Sequence, residues 1–531
     1  MNRHAMARLF GKFPPFICAG LNLYFLIAAS GSISPAQAQN GHPQKRFAVP
    51  ATWDDKAMTG VEIPLANPIG SPKHVSADYY YRIPVRPVYQ QYPVYAPGRE
   101  PAGYMDELKK KEPVILWDDA AHAPALRTEQ DWIRAGEMVF SAALTYSEDQ
   151  GVFTLSDVRD EAWYRRSGMP LTSDGVLPFL HYVIRQKGKV ELGSFSCAMC
   201  HTRVMPGGAL VKGAQGNFPF TQAAPPVSSP RPRIPADLLF MFSRQMYAMP
   251  WLDPDPIDRQ RTMSPDQVDA MYEAIPPGVL PRHRSSPFSP VQVPDLIGVK
   301  DRHYLDRTGL HRHWSIVDLM RYSALNQGGD SLASYDGFIP ADLPNFKTLP
   351  DPTDPVAVGG RYSDDQLYAL ALYIYSLKAP ENPNKFDRAA ARGQKVFEKE
   401  GCAACHTPPL YTNNKLTPAD GFRVPPDHMT KYDILAVRVG TDADLALKTR
   451  RGTGYYKVPS LRGVWYRSMF GHSGWCATLE DWFDPKRLRG DYVPTGFRPY
   501  GTRTYAVKGH AFGLTLSDAE RRDLIAFLKT L

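Results

Sequence analysis

Two stretches of the chain carry the same pattern of apolar and polar positions. Residues 363–377 align without gaps on residues 517–531, and both begin with a serine that is followed three residues later by Gln or Glu. This spacing is typical of a capping box at the start of a helix. Apolar residues at i, i+3 and i+7 then form a stripe that buries one helix face. The stripes consist of Leu370, Tyr373 and Leu377, and of Leu524, Phe527 and Leu531.

A second pair of helices is predicted upstream of these two. Residues 387–400 form a helical stretch that contains GQKVF at 393–397, and GEMVF at 136–140 repeats its G-x-x-V-F pattern. The chain therefore holds two ordered copies of one module, each with a first and a last amphipathic helix. The copies differ in their insertions, since Phe140 lies 57 residues before Cys197 whereas Phe397 lies 5 residues before Cys402.

Composition agrees with a folded protein that has long irregular connections. Of the 531 residues, 43% are hydrophobic and 22% are charged, which speaks against wholesale disorder. The 50 prolines are well above the usual share, and many lie in the long loop between residues 201 and 363. Six cysteines are too few for a disulfide-built scaffold of this size.

The first 38 residues are predicted to be a signal peptide. A basic start, an apolar stretch and a small-x-small cleavage site follow one another there. They are formed by Arg3, Arg8 and Lys12, by residues 16–29, and by Ala36 and Ala38. The apolar stretch is shorter than the about 20 residues that a spanning helix needs, so cleavage is favoured over the alternative of an uncleaved anchor. The mature chain is expected to be periplasmic or secreted, with no membrane span.

Loss of this leader changes the charge and the cysteine count. The formal net charge falls from +8 to +5, because the leader holds three basic residues and no acidic one. This charge is mild and dispersed, and no nucleic-acid motif accompanies it, so no nucleic-acid partner is expected. Cys18 leaves with the leader, and five cysteines remain.

Four of those five lie in two C-x-x-C-H motifs, CAMCH at residues 197–201 and CAACH at residues 402–406. This is the attachment signature of c-type haem: the thiols bond to the porphyrin and the histidine lies beneath the iron. Zinc shared by both motifs and a disulfide redox pair are the competing interpretations, although a thioredoxin-type site would need a βαβ context. The repeated module around each motif favours covalent haem c at both. The predicted cofactor residues are Cys197, Cys200, Cys402 and Cys405, with His201 and His406 as iron ligands; Cys476 is left alone.

The order helix, C-x-x-C-H, long loop, helix is that of the small cytochrome c fold, in which a glycine of the first helix lets the last helix cross closely. We therefore predict a mainly α protein with two cytochrome c-like domains. Its parts are the leader 1–38, a Pro/Tyr-rich N-terminal extension 39–128, a first domain 129–385 with large insertions, and a second domain 386–531. The insertions are expected to cover the first haem. The extension is expected to wrap the core, with a flexible tail as the alternative.

The function of a haem protein depends on its second axial ligand, because two strong ligands favour electron transfer and an open position allows chemistry. After His201 no histidine follows until His283. Candidates around the first haem are Met205, His303, His311, His313 and Met320. His313 and Trp314 are the candidates for catalytic residues, Trp314 as a pocket wall or an electron relay. Ordinary structural roles remain the alternative for each of them.

For the second haem the candidate ligands are Met469, His472 and His510. His510 is favoured, because Gly509 and Gly513 allow a close backbone approach and the helix that follows fixes its position. Ligation by two histidines would make this haem low-potential and unreactive, suited to passing electrons.

With these features the sequence resembles the bacterial di-haem cytochrome c peroxidase superfamily. The similarity covers roughly residues 130–531 and is most specific in KVPSLRGV at 457–464, FGHSG at 470–474 and LED at 479–481. The resemblance implies a periplasmic enzyme in which the N-terminal haem meets the oxidant and the C-terminal haem feeds or stores electrons. Family peroxidases often carry a calcium ion between the domains, but its ligands do not map onto this sequence.

Two positions depart from the family pattern. No distal histidine follows the first motif closely, and Lys486, fourteen residues after His472, stands where the family has a methionine ligand. Both departures lean toward the related di-haem rubber oxygenases, in which the first haem binds dioxygen and the second has two histidine ligands. The pocket residues of that branch do not match one by one, so its substrate is not implied.

We therefore expect an exported di-haem oxidoreductase. Its first haem would react with peroxide or dioxygen, and its second would exchange electrons with a small redox protein or another donor or acceptor. Peroxide cleavage needs a positioned acid or base, and Glu273 is the only glutamate between His201 and Ser363, which weakens the peroxidase version. The alternative is a non-catalytic di-haem electron-transfer cytochrome.

Overall fold

The computed structural model describes residues 48–119, 121–282, 284–327, 332–334 and 360–531. The predicted signal peptide and His283 lie outside these ranges. Of the described residues, 33% are in helices and 13% in strands, so the fold is mixed rather than clearly mainly α. Across the same ranges, none of the helices combines the length and the apolar character that crossing a membrane requires.

Helices and strands follow one another along the chain in short segments. The described α-helices are α1 Asp55–Met58, α2 Ala77–Arg82, α3 Tyr104–Lys110, α4 Glu129–Ser141, α5 Leu155–Val158, α6 Glu161–Ser167, α7 Cys197–Cys200, α8 Phe220–Ala223, α9 Ala236–Tyr247, α10 Pro265–Glu273, α11 Ile316–Gln327, α12 Asp364–Ser376, α13 Arg388–Lys399, α14 His428–Lys431, α15 Asp444–Leu447, α16 Leu479–Trp482 and α17 Asp518–Lys529. The described strands are β1 Lys73–His74, β2 Val88–Tyr89, β3 Gln91–Tyr95, β4 Ile115–Trp117, β5 Thr145–Ser147, β6 Val176–Gln186, β7 Lys189–Ser194, β8 Thr202–Val204, β9 Leu210–Lys212, β10 Val279–Leu280, β11 Val291–Gln292, β12 Ala333–Ser334, β13 Leu416–Pro418 and β14 Tyr455–Lys457.

Two crossed helix pairs correspond to the two predicted modules. Helix α4 packs on α12, and α13 packs on α17. Both predicted capping boxes are present: Ser363 Oγ accepts from the amide of Gln366, and Ser517 Oγ accepts from that of Glu520. Local sequence therefore predicted correctly where the last helix of each module begins.

One glycine in each first helix allows the crossing. A Cβ atom at Gly136 would lie 2.0 Å from the carbonyl oxygen of Ala369, and one at Gly393 would lie 1.9 Å from that of Asp523. Ala369 and Asp523 occupy equivalent positions of the two aligned helices. The predicted close approach is confirmed in both modules.

The described part of the N-terminal extension packs into the first module. Trp53 and Tyr80 stack with ring centroids 4.4 Å apart and lie in the same buried core as Phe140 and Leu370. Strand β3 of the extension pairs antiparallel with β6. Residues 48–119 therefore wrap the first module and do not form a flexible tail.

The insertion between α4 and the first C-x-x-C-H motif supplies β5, β6 and β7 of a four-stranded sheet, in which the strand order is β3-β6-β7-β5. Its long antiparallel hairpin, β6 and β7, leads directly into α7, which carries the motif. The sheet packs on a core that contains Phe179, Leu192 and Met199. Because Met199 lies between the two cysteines of the motif, the sheet is anchored directly to the first site.

Candidate functional site

Both C-x-x-C-H motifs turn their histidine in the same way. The amide of His201 donates to the carbonyl of Cys197 at 2.9 Å, and that of His406 donates to the carbonyl of Cys402 at 2.8 Å. The first motif forms helix α7, and the second begins with a single 3-10 turn directly after α13. The two histidines are therefore presented by equivalent local structures.

Each of these histidines is held by the carbonyl of a proline. Nδ1 of His201 lies 3.1 Å from the carbonyl oxygen of Pro294, and Nδ1 of His406 lies 3.1 Å from that of Pro459. A hydrogen bond of this kind places the proton on Nδ1 and leaves Nε2 free to bind a metal. Burial lowers the pKa of both rings, that of His201 to about 3, which keeps them in the neutral form that ligates.

The two prolines belong to a repeated turn that was missed in the sequence. VPDLIGV at 293–299 matches VPSLRGV at 458–464. In each copy the glycine has a positive φ, 72° at Gly298 and 76° at Gly463, so the turn needs glycine there. The signal that could have revealed it is the pattern V-P-x-L-x-G-V, which occurs once in each module.

An arginine braces each copy of this turn. Arg302 and Arg467 stand at the same distance after their glycines, and each donates to two main-chain carbonyls of its own turn. The acceptors are Asp295 and Ile297 in the first copy, and Ser460 and Arg462 in the second. The repeat thus includes the support behind each proximal histidine.

The second motif lies opposite His510. The ring centroids of His406 and His510 are 6.3 Å apart, with an angle of 60° between the ring planes. A metal–imidazole bond is about 2 Å long and the ring centre lies roughly 1 Å behind the nitrogen, so two imidazoles on one metal ion have centroids about 6 Å apart. Burial lowers the pKa of His510 to about 3, which favours the neutral ring. The pair therefore fits one iron between two imidazoles.

Arg487 holds the segment that carries His510. Its side chain is fully buried, and His510 has a φ of 46°, which is uncommon for a residue other than glycine. The guanidinium donates at 2.6 to 2.9 Å to the carbonyl oxygens of Trp482, Val507, Gly509 and His510. The neighbouring Lys486 is exposed.

The other two candidates for the second ligand make different contacts. His472 stacks on Tyr456 with ring centroids 4.1 Å apart, and its Nε2 lies 3.1 Å from the Tyr456 hydroxyl. Met469 packs in a cluster with Val279 and Trp475. Of the three candidates, all of which lie in the described ranges, His510 is the one whose imidazole faces that of His406.

The histidines predicted near the first haem each have other partners. Both ring nitrogens of His313 are engaged at 2.6 Å, by the carbonyl of Arg302 and the hydroxyl of Tyr375. His311 is buried, and its Nε2 lies 2.9 Å from the carbonyl of Asp318. Both nitrogens of His313 are therefore occupied, whereas His311 keeps a buried Nδ1 without a hydrogen-bond partner among the described residues.

The remaining candidates of the first module lie in three different surroundings. His303 faces Asp433 at 3.4 Å and lies against Trp314 with ring centroids 4.3 Å apart. Trp314 itself is 55% exposed, so it is a surface residue and not a buried pocket wall. Met320 is buried in the first core, and Met205 packs against Tyr466.

A cation that the sequence did not single out lies beside the first motif. Burial is the largest cause of the low pKa of His201, and the positive charge of Arg282 is the second. The same charge acts to lower the pKa of Cys200. Its Nη2 donates to Oδ1 of Asn326 at 2.7 Å. No sequence pattern marks Arg282, because it reaches the motif from a distant part of the proline-rich loop.

The cysteines do not favour the two competing interpretations. None of the five in the described ranges forms a disulfide, and burial raises the pKa of Cys197 to about 12 and that of Cys402 to about 11, unlike a redox-active cysteine. Within those ranges no group of three or more His, Cys, Asp or Glu side chains could hold a metal ion. A zinc ion or a calcium ion bound by such a cluster therefore does not fit, whereas a haem iron needs only one or two protein ligands.

Comparison with known proteins gives distant structural likenesses. No family model matches the chain, and no curated protein matches it. Kuenenia stuttgartiensis hydrazine synthase aligns at 19% identity over 55% of this chain and 86% of its own, with a TM-score of 0.28. A MauG-like protein associated with microbial copper homeostasis aligns at 18% over 45% and 75%, with a TM-score of 0.26. The diheme peroxidase BthA from Burkholderia thailandensis aligns at 17% over 50% and 76%, with a TM-score of 0.23. At these scores the functional argument rests on the geometry of the sites.

Proposed function

We propose that this chain is an exported di-haem c-type cytochrome oxidoreductase of the peroxidase-like class. One haem would be bound to Cys197 and Cys200 and the other to Cys402 and Cys405. Residues 129–385 and 386–531 would form the two haem domains. When bound, the haems supply redox-active iron, the first for reaction with peroxide or dioxygen and the second for electron transfer.

The observation that carries this proposal is the facing pair His406 and His510. Their spacing of 6.3 Å between centroids suits a single iron with both axial positions taken. A second axial histidine gives an electron-transfer site, and such a site can serve a reactive haem in the same chain. The first motif is the other redox site, since His201 has the same proline support as His406.

The surroundings of the two motifs support different roles. In the second module Arg487 fixes the loop of His510 by its four main-chain contacts. In the first, the described histidine candidates are engaged elsewhere, and the charge of Arg282 lies beside the motif. A site without a strong second ligand has room for an oxidant. A cation beside it would attract a negatively charged oxygen species.

Haem content tests the architecture. The mature protein, made in a host that attaches c-type haem, should give two haems per chain in a pyridine haemochrome assay, one for each C-x-x-C-H motif. One or no haem would contradict the proposal. Electron paramagnetic resonance of the oxidised protein then separates the functional classes. A high-spin or cyanide-sensitive signal supports the enzyme, whereas two low-spin signals that neither cyanide nor peroxide changes would leave the electron-transfer cytochrome.

Replacement of His510 tests the ligand assignment. His510→Ala should convert one low-spin signal to high-spin, and added imidazole should restore it, because a small ligand can fill the vacated position. His472→Ala and His428→Ala are matched controls, since both remove buried or half-buried imidazoles of the second module that bond to tyrosine hydroxyls. If His472→Ala changes the spin state and His510→Ala does not, the assignment is wrong.

A further inference from the structure

A cavity between the two modules is lined by an excess of cationic side chains. Four cations face it against a single carboxylate, and they come from both halves of the protein. These lining residues are Arg302, Arg307, Lys457 and Arg467, with Asp295 as the carboxylate. None of them was part of the predicted haem attachment.

The carboxylate in the cavity wall is already engaged. Oδ2 of Asp295 accepts from the hydroxyl of Tyr466 at 2.8 Å, and the Nε of Arg467 lies 3.9 Å from it. The side chains of Asp295 and Arg467 are 1% and 9% exposed. The nearby Asp306 lies 3.5 Å from Arg451, and the charges of Asp295 and Asp306 also act on Arg307. Two carboxylates therefore offset only part of the charge of the four cations.

Two guanidinium nitrogens in this cluster have no acceptor. The Nε atoms of Arg307 and Arg467 are buried without a hydrogen-bond partner among the described residues. Burial and the neighbouring cations lower the pKa of Arg307 to about 9 and that of Lys457 well below its usual value. Buried cations in excess of their counter-charges are costly, so this arrangement favours the binding of an anion. Arginine groups of this kind bind carboxylates in a bidentate manner.

The position of the cavity indicates which carboxylates these are. Pro294 and Pro459 both line it, and their carbonyls hold His201 and His406 respectively. The cavity therefore lies beside the turns that support both histidines, where groups of two bound haems would meet. We propose that it binds carboxylate groups and that the propionates of the haems supply them. This inference rests on the proposed function, because it requires both haems to be bound.

This charge also bears on the calcium ion that the family resemblance allowed. A Ca²⁺ ion takes six to eight oxygen ligands, usually with several carboxylates. Here arginine and lysine side chains occupy the wall between the modules. They would repel a divalent cation and would themselves neutralise the propionates.

Reduction potentials of the holoprotein test the proposal. Arg307→Gln and Lys457→Gln each remove one positive charge without removing a turn brace, because Arg302 and Arg467 remain. Loss of a nearby cation destabilises the more electron-rich reduced iron, so the potential of at least one haem should fall in each variant. Arg438→Gln is the control for loss of one positive charge, since Arg438 is an exposed cation that bonds to main-chain carbonyls outside the cavity wall. Arg307→Lys should restore a potential near that of the unchanged protein.

Each outcome decides one question. If the haemochrome assay finds no haem, the proposed function fails, and the cavity proposal fails with it. If both haems are present and the cavity variants do not differ from Arg438→Gln, only the cavity proposal is overturned. Titration of the holoprotein with inorganic phosphate identifies the source of the anion. A potential that does not change with phosphate supports the propionates, whereas a saturable change that Arg307→Gln abolishes assigns the cavity to a free oxyanion and overturns the propionate assignment.

Discussion

Gly393→Ala should destabilise the second module by forcing its two helices apart. The added Cβ would lie 1.9 Å from the carbonyl oxygen of Asp523 and 2.8 Å from Cβ of Phe527, whereas real Cβ atoms essentially never approach within 3.0 Å of another heavy atom. Overpacking costs about 1–3 kcal/mol, and here one obstacle is backbone, so the upper part of this range applies. The higher helix propensity of alanine relative to glycine offsets at most about 1 kcal/mol of this cost. The expected net loss is about 2 kcal/mol.

Urea unfolding of the holoprotein, followed by circular dichroism, measures this loss. Lys395→Ala on the same helix is the control, because Lys395 is exposed and its replacement should change the free energy of unfolding by less than about 0.5 kcal/mol. Haem content per chain is measured in parallel, to separate a loss of packing from a loss of cofactor. If Gly393→Ala unfolds at the same urea concentration as the control, the helices do not cross as closely as described.

Three further predictions follow from the same structure. Gly136→Ala should have a similar cost in the first module, because its Cβ would lie 2.0 Å from the Ala369 carbonyl; urea unfolding with fluorescence detection measures it. Arg487→Met should convert a low-spin haem to high-spin, with recovery on addition of imidazole, because it frees the loop of His510. In acid, hydrogen bonds and the charge of Lys399 lower the pKa of Glu520 to about 2. The contribution of Glu520 to the free energy of unfolding is therefore present above its usual pKa and is lost as pH falls towards 2. Unfolding curves recorded at a series of pH values should show this loss in the unchanged protein and not in Glu520→Gln.

The parts of the fold that local patterns encode were predicted well. Capping boxes, the apolar stripes and the glycine crossings depend on residues a few positions apart, and both copies were found. The sheet was missed, although residues 176–186 are rich in aromatic and branched side chains. The hairpin turns at Gly188, which has a φ of 84°. Helical spacing does not reveal such a hairpin, because a strand has a period of two residues, and the outer partner β3 comes from the distant N-terminal extension.

The same distinction between local patterns and contacts of distant segments holds for the candidate site. Both C-x-x-C-H motifs are contiguous and could be recognised directly, and the three candidates for the second ligand could be named. The choice among them depends on tertiary contacts, because His472 stacks on Tyr456 while His510 faces His406. The cationic cavity was beyond local reasoning, since its lining residues come from two turns that lie far apart in the chain.

The repeated turn also indicates where two similar modules could differ in chemistry. A proline carbonyl lies 3.1 Å from Nδ1 of each proximal histidine, and His406 has the carbonyl of Tyr411 at the same distance in addition. If both motifs bind haem as proposed, a difference in chemistry would come from the opposite face of each haem. In the second module Arg487 and the final helix bring a histidine to that face. In the first, a large insertion builds a sheet against the motif, and the described histidines are engaged elsewhere. A common attachment and divergent distal elements are what a division into an electron-transfer haem and a reactive haem requires.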